Sequence, residues 1–387
     1  MKSCASAGRR EVSRCRVCGD DFFPEPLLLF ENMPKAAQFL PDADSVCNDS
    51  GVDLEICQCA GCGLAQLSNA PVPYFKEVVR AAAFSEEMKD FRLRQFVELA
   101  TRFSLRGKKV LEIGCGRGEY LSLMEQAGMD AYGLEYSEES VAHCRVNQLN
   151  AARDFIDSSD YVLEQAPFDA FFILNFLEHL PNPNASLRGA AHNLAEGGLG
   201  LVEVPNFDMI LRNNLFSEFI GDHLLYFTRD TLTATLNLNG FEVVECKDIW
   251  YDYILSAVVR KRERLNLSHF ADYQEKIRGE IEGYLARFAD GKVAIWGAGH
   301  QALAVISLTK LAGKIKYVVD SATFKQGKFT PASHVPIVSP DALQADPVDA
   351  IIVMAASYSD EVARIIRHRY GAAIGVALLR DSGLEEV

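Results

Sequence analysis

The chain has 387 residues, of which 49% are hydrophobic and 24% charged, and a formal net charge of −14. Its length exceeds one compact domain and implies two or three, with the composition of a folded globular protein. The acidic balance argues against a nucleic-acid partner, and the lack of any apolar run of about eighteen residues argues against a membrane span.

The first ten residues, Met1 to Arg10, have no apolar core, so no signal peptide is expected. Ten cysteines without an export signal suit metal binding or free thiols in a cytoplasmic protein better than disulfides. Cys15-Arg-Val-Cys18-Gly19 is answered by Cys57-Gln-Cys59-Ala-Gly-Cys62-Gly63. Paired C-x-x-C knuckles, each followed by glycine, are what a tetrahedral Cys4 zinc site needs. The predicted ligands are Cys15, Cys18, Cys59 and Cys62. Cys57 lacks the knuckle spacing, and Cys47 reads as a bystander. The gap of about forty residues between knuckles exceeds that of a compact ribbon, so 30–53 reads as an inserted loop. Four protein ligands leave no position for water, which makes the zinc (Zn2+) structural. Pro71-Val-Pro73 closes this module, predicted as residues 1–74.

A helix is predicted over 86–101, with Phe91, Phe96, Val97, Leu99 and Ala100 at roughly helical spacing. It leads to Val110-Leu-Glu-Ile-Gly-Cys-Gly-Arg-Gly-Glu-Tyr120, which reads as a buried strand, a glycine turn and the start of a helix. Gly114, Gly116 and Gly118 permit positive φ and leave no side chain between backbone and ligand. Such a turn aims free N–H groups at whatever binds there. The spacing G-x-G-x-G differs from the dinucleotide fingerprint G-x-G-x-x-G. Asp130 to Tyr136 reads as a second strand carrying Glu135 about twenty residues on, placed to hold ribose hydroxyls. Glu112 adds a carboxylate suited to a cationic ligand. Together these residues resemble the S-adenosylmethionine (SAM) site of class I methyltransferases.

Helices are predicted over 119–127 and 138–148, and a short strand over 151–156. Asp157, just beyond that strand, lies beside the adenine ring in the methyltransferase pattern. It either bonds the exocyclic amine or caps the loop. Phe168 to Asn175 reads as a central parallel strand. Its carboxyl end carries Asn175, Glu178 and His179, where doubly wound sheets bind ligands. His179 there is catalytic, covers the cofactor, or shapes a proline-rich turn. A helix is predicted over 187–194, ending at Glu196-Gly-Gly198, then a strand over 200–204. The loop 206–228 carries Asn213, Asn214, Phe216, Phe219, Asp222, His223, Tyr226 and Phe227 over the mouth of the sheet. Strands over 241–245 and 253–260 would form a hairpin edge.

Residues 75–260 thus read as the methyltransferase domain and 261–290 as a linker. The linker's helix, 267–288, is amphipathic through Phe270, Tyr273, Ile277, Ile281 and Leu285. The strand–turn–helix pattern then restarts at Val293 to Ala302, followed by a strand ending in Asp320 and another over 350–354. The spacing G-x-G-x-x-A approaches the dinucleotide fingerprint. Residues 291–387 are short for a full dinucleotide site and read as a second, smaller Rossmann-like domain for docking or substrate.

The order of the three modules resembles the SAM-dependent sugar C-methyltransferases that act on nucleotide-linked ketodeoxysugars. The resemblance runs from about Cys15 to Leu379. It rests on the knuckles with the tail Cys62-Gly-Leu-Ala-Gln66, on Leu111-Glu-Ile-Gly-Cys-Gly-Arg-Gly118, and on Ile295-Trp-Gly-Ala-Gly299 with Val319-Asp-Ser-Ala-Thr-Phe-Lys-Gln-Gly327 and His334-Val-Pro-Ile337. It implies an α/β fold: a small zinc-binding module, a class I methyltransferase Rossmann-like domain, and a smaller Rossmann-like C-terminal substrate domain. It also implies cytosolic SAM-dependent methylation, with the sugar nucleotide between the central and C-terminal domains. The family's reacting loop carries Tyr-His-Glu-His, whereas the matching positions here are Ile220, Gly221, Asp222 and His223. His223 is the expected general base, since an unshifted imidazole titrates near neutral pH. Asp222 would orient it or bind a substrate hydroxyl. An enolate oxygen would take a hydrogen bond from Asn175, Asn206, His179 or Tyr226. The alternatives are O- or N-methylation of a sugar or small metabolite, and a SAM- or nucleotide-binding protein without catalysis. Lys325, Lys328 and Arg212 are candidates for a phosphate-binding patch. A monomer or homodimer is expected.

Overall fold

The computed structural model describes residues 12–38, 40–77 and 85–387. The reading of Met1 to Arg10 as lacking a leader lies outside them. The chain separates into two compact units, one ending at Glu263 and the other running from Arg264 to Val387.

The first unit opens with strands β1 (Leu28–Met33), β2 (Val52–Gln58) and β3 (Ala65–Leu67). Helix α1 (Glu86–Arg102) follows, capped by the Ser85 side chain accepting from Met88 N, with Glu86 and Glu87 in its first turn. Then come β4 (Lys109–Ile113), α2 (Glu119–Gln126), β5 (Asp130–Glu135), α3 (Glu138–Val146), β6 (Asn150–Arg153) and β7 (Phe168–Leu174). The unit finishes with α4 (Pro183–His192), β8 (Leu194–Pro205), α5 (Phe207–Asn213), β9 (Leu225–Tyr226), α6 (Arg229–Leu238), β10 (Phe241–Ile249) and β11 (Ile254–Lys261).

Seven of these strands form one sheet in the order β10-β11-β8-β7-β4-β5-β6. Strand β11 is antiparallel to both neighbours, and the other pairings are parallel. The chain winds outward in both directions from the adjacent β4 and β7. Their carboxyl ends therefore flank the crevice where doubly wound sheets bind ligands. Core packs on both faces: Leu111, Ile113, Phe171 and Ile173 on one, Val110, Phe96, Phe172 and Leu174 on the other. Gly200 sits opposite Phe171 in the β7–β8 ladder. A Cβ there would lie 2.1 Å from Phe171 Cε1. Gly200→Ala is expected to cost about 1–3 kcal/mol by overpacking, read as a lowered urea midpoint at unchanged m-value.

Several boundaries differ from the sequence reading, among them 151–156, where β6 ends at Arg153, and 241–245, where β10 runs on to Ile249. The helix expected over 187–194 starts at Pro183, because Asn182 caps it and proline suits the first helical position. Glu196-Gly-Gly198, read as that helix's end, lies inside β8. The strand passes through there with Gly197 at φ 68°.

The second sheet of this unit is small and antiparallel, in the order β1-β2-β3-β9. Three strands belong to the cysteine module, and β9 comes from the loop after β8. No signal of period or turn marks so short a pairing over such a sequence distance.

The second unit begins with helix α7 (Ser268–Leu285), which packs Ile277, Ile281 and Tyr284 into that unit's core. Strands β12 (Val293–Trp296), β13 (Val318–Val319), β14 (Ile337–Val338), β15 (Ala350–Val353), β16 (Gly375–Arg380) and β17 (Gly383–Glu386) follow. They form a sheet ordered β14-β13-β12-β15-β16-β17, parallel except at the β17 edge. Among the described residues no helix is long and apolar enough to cross a membrane.

Candidate active site

The glycine turn leaves β4 with Gly114, Gly116 and Gly118 at φ 76°, 58° and 85°. A Cβ on Gly114 would lie 2.9 Å from the Phe176 ring, and one on Gly118 would lie 2.4 Å from Leu149 Cδ1. The amides of Gly114 and Cys115 bond Leu134 O on β5. The Glu135 carboxylate accepts from Gly116 N at 2.9 Å and from Ser137 N at 2.8 Å. Those bonds fix the carboxylate at the carboxyl end of β5. Glu112 is fully buried within β4. Asn175 leaves β7 at φ 52°, a conformation asparagine tolerates. Asp157 is exposed and lies outside the cavity lining described next.

Gly114, Gly116, Asn175, Phe176, Glu178, His179, Asp222 and His223 line one cavity of about 350 Å³. Arg92, Tyr120, Trp250 and Tyr253 are also in its wall. Of the residues named from sequence, Gly114, Gly116, Asn175, Glu178, His179, Ile220, Asp222 and His223 thus meet in one space, whereas Glu112, Gly118 and Glu135, and the other named residues of the loop 206–228, are not among its lining.

His179 is buried, and its Nδ1 lies 2.7 Å from the Asp222 carbonyl oxygen. A carbonyl only accepts, so the proton sits on Nδ1 and Nε2 carries the lone pair. That nitrogen is 3.8 Å from Glu178 Oε1. The His179 and His223 rings meet edge to face with centroids 4.8 Å apart. Ligand atoms of Glu178, His179 and His223 all lie within 4.8 Å of one another. Burial, reinforced by the neighbouring His179, pushes His223 down to about 3. Burial lowers His179 as well. The unshifted imidazole expected at His223 is therefore not what the fold provides. Both shifts favour the neutral imidazole.

The Asp222 side chain turns toward the cysteine module. Its Oδ1 accepts from Ala37 N at 3.2 Å, and the Tyr74 hydroxyl bonds its two oxygens at 3.1 and 3.0 Å. Burial and Asp222 raise the Tyr74 hydroxyl to about 12. Asp222 positions His179 through its backbone carbonyl. Asn206 caps α5 and donates to Asp252 O, and the Tyr226 hydroxyl bonds Ile220 N and O. Neither is among the cavity's lining residues, whereas Asn175 and His179 are. Lys325 is tied to Asp320 and Ala298 O, and Arg212 faces Asp252 at 3.9 Å. Lys328 is exposed on the second unit.

Sequence reading passed over Tyr74, Arg92, Trp250 and Tyr253. Arg92 left a signal, a charge spaced i, i+4, i+7 with Phe96 and Leu99 on the apolar face of α1. Trp250, Tyr251 and Asp252 have φ 48°, 58° and 63°, a left-handed turn that no glycine announces.

The Cys15, Cys18, Cys59 and Cys62 sulfurs all lie within 4.8 Å of one another. Two pairs, Cys15–Cys62 and Cys18–Cys59, stand at 3.6 and 3.3 Å. Sulfurs bound tetrahedrally to zinc at about 2.3 Å stand roughly 3.8 Å apart, so the cluster fits that ion. Backbone donors point at it as well: Val17 N approaches Cys15 Sγ and Cys62 N approaches Cys59 Sγ, both at 3.4 Å. Gln66 Nε2 reaches Cys15 Sγ at 3.2 Å. Cys57 and Cys47 stand outside the cluster.

Residues 82–246 match the family model for a methyltransferase domain, and residues 259–376 match that for a C-methyltransferase C-terminal domain. The chain is 26% identical over 390 aligned residues to the C-methyltransferase NovU of Streptomyces niveus, covering 91% of this chain and 92% of NovU. It is 37% identical over 129 residues to a ubiquinone biosynthesis O-methyltransferase of Pseudomonas aeruginosa, spanning 55% of that protein. A solved magnesium protoporphyrin IX methyltransferase of Synechocystis, with bound SAH, aligns at 15% identity and TM-score 0.39 over 49% of this chain and 91% of that one. The two domain matches, the alignment with NovU over most of both chains and the sheet order agree: the chain is a SAM-dependent methyltransferase similar to the C-methyltransferase NovU.

Proposed function

We propose that the enzyme methylates carbon on a nucleotide-linked ketodeoxysugar, with His223 as the base. The observation that carries this reading is one cavity walled both by the glycine turn and by Glu178, His179 and His223. Gly114, Gly116, Glu112, Glu135 and Asn175 would hold SAM, which supplies an electrophilic methyl on a sulfonium. Asp157 is kept as a candidate for the adenine amine. His223 takes the proton beside the ketone. Glu178, within 4.8 Å of both imidazoles, offsets the positive charge this creates. Asn175, whose side-chain amide can donate, borders the space where the enolate oxygen forms; His179, with its Nδ1–H committed to the Asp222 carbonyl, has no donor to offer it. Asp222 and Tyr74 act by position, fixing the loop and the tautomer of His179. A structural zinc on Cys15, Cys18, Cys59 and Cys62 completes the reading.

The test is calorimetric titration with SAM, followed by turnover on a panel of nucleotide-linked ketosugars in deuterated water. Micromolar SAM binding, and solvent deuterium entering the acceptor before SAM is added, are expected. Methylation without any such exchange would overturn the base-and-enolate route. Glu135→Ala is expected to weaken SAM roughly 10- to 100-fold, the scale of charged hydrogen bonds lost to two hydroxyls.

Methyl transfer to oxygen is the second reading. Ile220 and Gly221 bring no polar side chain to the loop, and an acidic hydroxyl asks less of a base than a C–H bond does. In that case His223→Asn retains much of its turnover.

A further inference from the structure

Glu178, His179 and His223 bring three side chains able to ligate a metal to one corner of the cavity. Glu178 and His179 are buried there. Two bonds hold the corner together. Glu178 O accepts from Leu224 N at 2.8 Å, and His179 Nδ1 donates to Asp222 O at 2.7 Å. The short turn Leu177–His179 is thus tied to the residues on either side of His223. The Asp222 carboxylate is held in turn by Tyr74 and Ala37 N. All three ligands therefore rest on supported backbone.

The orientation of His179 is a second, independent observation. Its N–H is spent on a carbonyl, which leaves the lone pair on Nε2, 3.8 Å from Glu178 Oε1. Histidines that hold a metal commonly donate their other ring N–H to a backbone carbonyl in this way. Ligand atoms about 2.0–2.2 Å from a tetrahedral ion stand roughly 3.4 Å apart, so the 3.8 Å pair needs only a small closure. His223 offers its nitrogen within 4.8 Å of both. Two imidazoles and a carboxylate suit zinc, cobalt or nickel, whereas magnesium and calcium want oxygen alone. Three protein ligands leave a position open toward the cavity, unlike the closed four-cysteine cluster.

We infer that Glu178, His179 and His223 form a second metal site, which takes a divalent transition cation and, once filled, stops methyl transfer. A neutral imidazole has a single lone-pair nitrogen. On His223 the cation and the substrate's proton compete for that lone pair, and Glu178 spends its charge on the cation. The binding stands on the geometry alone; the block on turnover rests on the reading of His223 as the base.

The experiment titrates cobalt(II) chloride into the intact protein, followed by visible absorption and calorimetry. The wild type is expected to bind one equivalent with nitrogen–oxygen ligand-field bands and no sulfur-to-metal charge transfer, which separates this site from the cysteines. His179→Ala and Glu178→Gln are each expected to weaken that equivalent by at least the roughly 10- to 100-fold that a mere outer-shell partner is worth. Circular dichroism on both variants checks their fold. Saturating cobalt is expected to slow solvent deuterium exchange into the ketosugar acceptor by about 10² or more, the worth of a positioned base, with SAM affinity unchanged within a few-fold. A wild type that takes no cobalt, or takes it only with thiolate charge transfer, would overturn the site and leave the methyl-transfer reading standing. So would folded variants that both bind it as tightly as the wild type. Exchange at full rate with the site filled would overturn the block, and His223 as the base with it, while the metal site remained.

Discussion

If the four-cysteine cluster holds the proposed zinc, removing it is expected to cut methyl transfer by about 100-fold or more while SAM affinity changes only a few-fold. The cluster makes no contact with the reacting groups, so the effect must travel through the backbone, and a route is present. Gln66 donates to Cys15 Sγ and accepts from Arg16 N at 3.0 Å. It lies on β3, whose register with β9 pairs Ala65 with Tyr226 and Gln66 with Leu225. Leu67 N extends the ladder to Leu224 O at 2.9 Å. Asp222 and His223 are the residues immediately before this strand. Tyr74, from the end of the same module, grips Asp222 itself. The SAM-binding candidates, by contrast, stand on β4, β5 and β7, held by the large sheet. Loss of the proposed zinc would free the knuckles, loosen β3 and β9 and let the loop drift, while the glycine turn keeps its shape. Displacements near 1 Å at a reacting group cost about 100-fold in rate. Treatment with a chelator, or Cys15→Ser, followed by separate measurement of kcat and of SAM Kd, checks this. A metal-free protein with normal kcat would show that the module does not position the loop.

The parts legible in sequence were those built from neighbours. Two knuckles declare themselves because each is a local turn, and the glycine turn does so because strand, φ > 0 and helix follow one another within a dozen residues. The restart of the same pattern at Val293 is legible for the same reason. What stayed hidden depends on partners far along the chain. Tyr74 meets Asp222 across 148 positions, and Arg92 meets Glu203 across 111. No periodicity encodes either pairing. The altered loop, Ile220 to His223, was visible as a sequence, but its geometry was not. The Asp222 side chain was expected to orient His223 or to bind substrate, and it is instead occupied by Tyr74 and Ala37 N. Burial was also out of reach. A histidine in a polar loop reads as an ordinary imidazole, and only the packing around it reveals how far its proton affinity falls. Strands β16 and β17 carry no motif and were passed over, although they complete the sheet of the second unit.

That depressed proton affinity sets the second large effect. His223→Asn is expected to lower carbon methylation by about 10² to 10⁴, the usual worth of a positioned base, with SAM Kd unchanged within a few-fold. The wild type should also show an unusual acidic limb. A free imidazole loses its proton-accepting form as pH falls through about 6.5. His223 lies near 3 in the folded protein, so its neutral form persists below 6.5 and the limb of kcat/KM against pH shifts well to the acid side. Stability follows the same sign. The unfolded chain binds this proton more readily than the folded one, so folding stability falls as pH drops through about 6.5 and goes on falling toward the folded value. On the proposed route Glu178, within 4.8 Å, would supply the negative charge that steadies the new imidazolium. Glu178→Gln should therefore slow methylation along with His223→Asn, and the double variant should be little worse than either single one, because the two act as a unit. Turnover and α-proton exchange measured on all three proteins decide the matter. Losses that simply multiply would mean that Glu178 and His223 act separately, and an exchange rate untouched by His223→Asn would give the proton to another group.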